Sequence, residues 1–192
     1  MMTLDDVLER WIPYRLQAIE TLRFAWELTS NEAEQPRRLE VLVDGRVKLS
    51  GNVAAIANPM IEAGLIHARA LLEFMGLCDL KGRLSQIRNR RKDDIAIELY
   101  STAQAPLSMV SPDEVLRSYG GPPQEAEAAL LAIFELANKG LAHLTFGPTD
   151  GKYTDQHIDI ACRGLPVLLF NHLYAKLGRE LPQAPSAAPN GG

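Results

Sequence analysis

Three ionisable side chains on one apolar helix are the first candidates for chemistry. The stretch NPMIEAGLIHARALLEFMGL, residues 58–77, is apolar on nearly every side yet carries Glu62, Arg69 and Glu73. At 100° per residue those three fall within a seam about 40° wide. A helix so apolar belongs in a core, and a charge in a core needs a partner or a task. Arg69 and Glu73 are four residues apart and can pair along the helix. An arginine held between carboxylates offers a planar fork to a phosphate or a carboxylate. The plainer reading is an ion pair at the edge of a buried helix. Glu62, Arg69 and Glu73 are therefore ligand-binding candidates. His67 falls on the other side of this helix and reads as a core histidine.

A second group lies in LANKGLAHLTF, residues 136–146. Glu135, Lys139 and His143 step by four along one ridge, with Asn138 and Gly140 beside them. Lys139 paired with Glu135 would make an ordinary solvated face. An imidazole next to a lysine and an asparagine also suits acid–base work or anion binding. His143, Asn138 and Lys139 are the catalytic candidates. The third group is basic: Lys81, Arg83, Arg88, Arg90, Arg91 and Lys92 crowd into KGRLSQIRNRRKDD, residues 81–94. Of these, Arg83, Arg88, Arg90, Arg91 and Lys92 are candidates for a nucleic-acid backbone, held by general electrostatics. No aromatic residues interleave them, so base stacking is not indicated.

The helix ending NKGLAHLT, together with the earlier EAGLIHARALLEF, resembles the bacterial HEPN-type proteins. The resemblance implies an all-helical bundle, often dimeric. It also implies RNA as the ligand, since many of that family are ribonucleases in toxin–antitoxin or phage-defence systems. The family's hallmark is an arginine, four to six arbitrary residues, then a histidine. His143 matches the histidine. At the nearest spacing this chain has Asn138, followed by Lys139, so the motif arginine is not in its place and Arg69 is the cation available from another helix. Two other roles fit the same residues: a non-catalytic interaction module of the immunity or antitoxin kind, or a bundle that binds a small anion between its long helices.

The elements that must position these groups are mostly helices. Thr3 to about Leu28 reads as a helix, with Thr3 and Asp6 as a capping-box variant and Pro13 as a kink or break. LEVLVDGRVKLS, residues 39–50, is two alternating runs around Asp44-Gly45, a hairpin signal. Such a hairpin is marginal unless it packs on something, so it is expected to lie against the helices. Asn58-Pro59 reads as the start of the second long helix and Gly76 as its end. Asp93 to Tyr100 reads as a short helix. Ser111-Pro112-Asp113-Glu114 starts another, stopped by Gly120-Gly121-Pro122-Pro123. A long helix from Pro123 to about Leu144 follows, then a last one from Thr154 or Asp155 to Leu177, bent at Pro166. The expected fold is all-α, a bundle of about five helices in an up-and-down arrangement with one small hairpin. It forms a single domain over residues 1–181, and 182–192 is a disordered Pro/Ala/Gly tail.

Composition limits the function. With 192 residues, 46% apolar and 23% charged, the chain suits one globular domain. The net charge of −4 gives no global field that would recruit nucleic acid. Cys78 and Cys162 are far apart in apolar settings and read as free thiols. No CxxC, glycine-rich phosphate loop, GxSxG or HExxH occurs, so no metal or cofactor is expected. The N-terminus has acids early and no apolar stretch of the signal-peptide kind, and no run reaches a membrane span. The expected location is the cytoplasm, with no membrane partner.

Overall fold

The computed structural model describes residues 3–30, 37–140 and 152–182. The chain is mostly helical, with two small antiparallel hairpins. Helix α1 (Leu4–Asp6) runs through a π-helical turn (Val7–Trp11) into α2 (Ile12–Ser30). Strands β1 (Arg38–Val43) and β2 (Arg46–Asn52) lead to α3 (Ala54–Phe74). Then come β3 (Leu77–Asp79), β4 (Leu84–Gln86), a 3₁₀ turn (Ile97–Tyr100) and α4 (Pro112–Arg117). Helix α5 (Pro123–Glu135) continues as a π-helical turn (Leu136–Gly140), and α6 (Asp155–Leu169) as another (Phe170–Tyr174). Helices α2 and α3 pack on each other, as do α5 and α6, and α2 also meets α6. Ile12, Ile19, Leu22, Leu71, Leu72, Ile133 and Leu165 fill the shared core with almost no exposure.

Proline decides where the first helix deviates. In the π-helical turn the Ile12 N–H donates to the Val7 carbonyl, five residues back. The next bond of that series would run from residue 13 to Leu8, but Pro13 has no N–H to give. The Leu8 carbonyl is instead taken by the buried hydroxyl of Tyr174, at 2.6 Å, from the π-helical turn at the far end of the chain. Proline therefore does not break the helix; it frees an acceptor that ties the first helix to the last. Burial pushes the Tyr174 phenol well above its ordinary range, so it stays a donor. Replacing Tyr174 with phenylalanine leaves a buried carbonyl without a partner and is expected to cost about 1–3 kcal/mol, read as a lower denaturant midpoint.

The Asp44-Gly45 turn forms, with φ of 50° and 71°, as a two-residue hairpin of this kind requires. The register shifts between Val41 and Leu42. The hairpin does not lie flat on the helices. Leu39 packs against Ala25, Val53 and Ala57, while Leu42, Val43, Val47 and Leu49 remain exposed. Helix α3 also starts earlier than Asn58-Pro59: the Asn52 side chain accepts the Ala54 N–H at 2.9 Å, and Pro59 lies inside the helix. Burial of Val53 and Ala57 against Ala25 holds that extra turn. Gly76, with φ of 96°, ends α3. The basic segment begins as part of a hairpin, β3–β4, whose Leu77 and Leu84 are buried. The capping boxes at Thr3 and Ser111 are both present. No described helix is long and apolar enough to cross a membrane.

Candidate functional site

The seam on α3 is not buried. Glu62 is exposed, and Ile66 between it and Arg69 is 51% exposed. Of the two readings of the seam, the ion pair at the edge of a buried helix holds and the buried arginine does not, because the core-facing side of α3 is a different one, carrying Leu65, Ala68, Leu71 and Leu72. Arg69 and Glu73 do pair, Nε to Oε1 at 2.8 Å, with side chains 36% and 40% exposed. That pair is worth little as a stabiliser at such exposure. Its value is positional. The second arm of Arg69, Nη1, donates to the Asn138 side-chain oxygen, across from α3 to the π-helical turn after α5. Two of the three groups singled out in the sequence therefore touch. Glu62 makes no ion pair with Arg69 among the described residues.

Of the other catalytic candidates, His143 lies outside the described residues, as does the Lys139 side chain. Glu135 is paired with Lys152. The hydrogen bond to Glu135 holds the Lys152 ammonium above its ordinary range.

The third group splits in two. Arg83, Arg88, Arg91 and Lys92 are exposed. Arg90 is not a free cation: its guanidinium donates to the carbonyls of Glu73, at 2.8 Å, and Phe74, at 3.2 Å. It also grips both oxygens of Glu98, at 3.1 and 3.3 Å. Arg90 caps the C-terminus of α3 by bonding the Phe74 carbonyl and sharing the Glu73 carbonyl with the Gly76 N–H, so it is a structural residue and not the nucleic-acid contact its neighbours suggest. Its position has a consequence for the site. It draws the basic segment to the end of α3, so that Arg90 and Arg69 bind the same residue, one its carbonyl and the other its carboxylate. The Cys78 thiol registers the same cluster: it is raised first by burial, then by Asp79 and Glu73, and lowered by Arg88.

Comparison with protein-family models, curated proteins and solved structures finds no match. The site must therefore be read from its own chemistry. It is an accessible guanidinium held between a carboxylate and an asparagine, with Arg90 bound to the backbone of the same Glu73. Among the described residues no group of three or more His, Cys, Asp or Glu is placed to hold a metal ion.

A different cation escaped the sequence reading. Arg15, on α2, donates from Nη1 to Nδ1 of His67 at 2.8 Å. Tyr14 stands edge-on to the His67 ring, with centroids 5.1 Å apart, and Trp11 stands edge-on to Tyr14. His67 is thus a half-buried hydrogen-bonded residue, not one enclosed by core. Burial, then the charge of Arg15, lowers its pKa below the ordinary 6.5, so near neutrality Nδ1 is a free acceptor. One signal for Arg15 was legible: its helix neighbours three and four residues away, Trp11, Ile12, Ala18 and Ile19, include no acid.

Proposed function

We propose that this protein is a HEPN-like helical bundle that binds RNA and cleaves it, acting as a dimer, with Arg69 supplying the cation that the motif position lacks. The contact between Arg69 and Asn138 carries this reading. Asn138 occupies the place of the family's arginine, and the guanidinium that reaches it arrives from α3. In the up-and-down arrangement this reading takes, α3 and α5 are neighbours, and they do pack together. The exposed Arg83, Arg88, Arg91 and Lys92 supply further phosphate contacts in this reading.

In the reaction, His143 takes the proton from an RNA 2′-hydroxyl, whose oxygen attacks the adjacent phosphorus to form a 2′,3′-cyclic phosphate as the bond from phosphorus to the 5′-oxygen breaks, and the leaving 5′-oxygen takes its proton from water. Arg69 neutralises charge on the non-bridging oxygens, and Asn138 together with Glu73 keeps its fork oriented. The phosphate competes with Glu73 for one arm of that fork.

The test is degradation of a labelled RNA by purified protein beside His143→Ala and Arg69→Gln. Loss of the general base is expected to slow cleavage by about 10²–10⁴-fold, and loss of the cation by about 10²–10³-fold. Equal activity in all three proteins, or none in any, removes the enzyme. RNA affinity that is unchanged in an Arg88→Gln/Arg91→Gln variant and insensitive to salt removes RNA binding as well. The interaction-module reading would then stand, with the bare end of the β1–β2 hairpin as its contact.

A further inference from the structure

A cavity of about 310 Å³ opens between the π-helical turn preceding α2 and the face of α3 opposite the Arg69 site. Its walls are apolar: Val7, Ile12, Leu71 and Phe74. Two other lining residues differ in kind. Trp11 is 46% exposed, and Arg15 is the only charged group lining the space among the described residues. No carboxylate among the described residues pairs with Arg15; its hydrogen-bond partner is the neutral ring of His67. A half-buried guanidinium normally finds an acid, because the cost of partial desolvation is otherwise unpaid. Here one Nη is occupied and the rest of the planar fork has no acceptor among the described residues.

From this geometry we infer a binding site for a small organic carboxylate with an apolar body, its headgroup on Arg15 and its body on Trp11 and Phe74. A cavity of this size lies at the lower end of ligand sites and suits about a dozen non-hydrogen atoms. The planar fork favours a carboxylate, which it can meet with two parallel bonds. The π-helical turn is part of the construction: it displaces the helix just where Val7 and Trp11 line the space, and such turns recur at functional sites. Arg69 and Glu73 lie about 100° or more around α3 from the lining residues Leu71 and Phe74, so this site does not depend on the RNA reading.

The test is calorimetric titration of the full chain with 4-phenylbutyrate and with its neutral counterpart 4-phenylbutanol. The acid is expected to bind at least about tenfold more tightly than the alcohol. Arg15→Gln should remove that difference, and Ala70→Phe, which fills the cavity from its α3 wall while keeping Arg15, should abolish binding of both. Arg69→Gln should change neither. No binding of 4-phenylbutyrate or of decanoate at millimolar concentration overturns the inference, as does equal binding of acid and alcohol. Because the acid-against-alcohol comparison uses the unaltered protein, it decides the matter even if a variant fails to fold.

Discussion

Replacing Gly64 with alanine should lower the stability of this protein by about 1–3 kcal/mol, although alanine is the better helix former. A Cβ at that position would sit 2.3 Å from the Leu22 Cβ and 2.8 Å from the Ala18 carbonyl oxygen. Gly64 is where the backbones of α2 and α3 approach most closely among the described glycines. Leu22 is fully buried, and Ala18 contributes backbone, so neither can move aside cheaply. The helix-propensity gain of up to about 1 kcal/mol is outweighed by overpacking, and Gly64→Val should be worse than Gly64→Ala. Gly164 supplies the control. It too is a helical glycine, in α6, but an added Cβ there meets nothing within 4 Å. Gly164→Ala should therefore raise the urea midpoint by the propensity term, while Gly64→Ala lowers it. If the two substitutions behave alike, the α2–α3 crossing is not as close as described. Domains of this kind have about 5–15 kcal/mol in total, so the loss at Gly64 is a large fraction of it.

The second large effect is expected at Arg90. Arg90→Ala should cost about 2–4 kcal/mol, because it removes the partner of the Glu98 carboxylate and of the Phe74 carbonyl together, while the Glu73 carbonyl keeps the Gly76 N–H. The side chains concerned are only 17% and 32% exposed, so water replaces the lost bonds poorly. Lysine should recover only part of the loss, since one ammonium cannot span Glu98 and both carbonyls as the guanidinium does. Arg91→Ala and Lys92→Ala, at exposed positions two or fewer residues away, should stay within about 0.5 kcal/mol. Urea unfolding measures all four, and hydrogen exchange at the last turn of α3 should rise in Arg90→Ala alone. A normal midpoint with weakened RNA binding in Arg90→Ala would instead return this residue to the phosphate contacts.

These two residues show how far the sequence could be read. Local signals were strong wherever a few adjacent residues decide the backbone. Ser111 and Glu114, Thr3 and Asp6, and the turn at Asp44-Gly45 all specify their geometry through bonds spanning two to four residues, and all three took the form their spacing implies. The helical character of the chain and the presence of one hairpin were legible for the same reason. Arg90 was not. Its type and its basic neighbours are what a nucleic-acid contact would have, and only the fold puts Glu98 and the end of α3 within reach. On α3 the plainer reading, an ion pair at the edge of a buried helix, is the one the fold takes, but apolar composition on nearly every side does not say which side meets α2.

The amino-acid order by itself determined the capped helix starts at Thr3 and Ser111, which residues turn the hairpin, and that Arg69 and Glu73 share a ridge, because these depend on periodicity and short-range bonds. The tertiary structure decided that Arg69 meets Asn138, that Tyr174 answers the carbonyl left by Pro13, and that Arg15 faces a cavity with a neutral histidine for company. Each of those contacts joins residues more than fifty positions apart. Their pairing follows from how apolar helix faces pack, which is set by the whole core at once and leaves no mark in the local sequence.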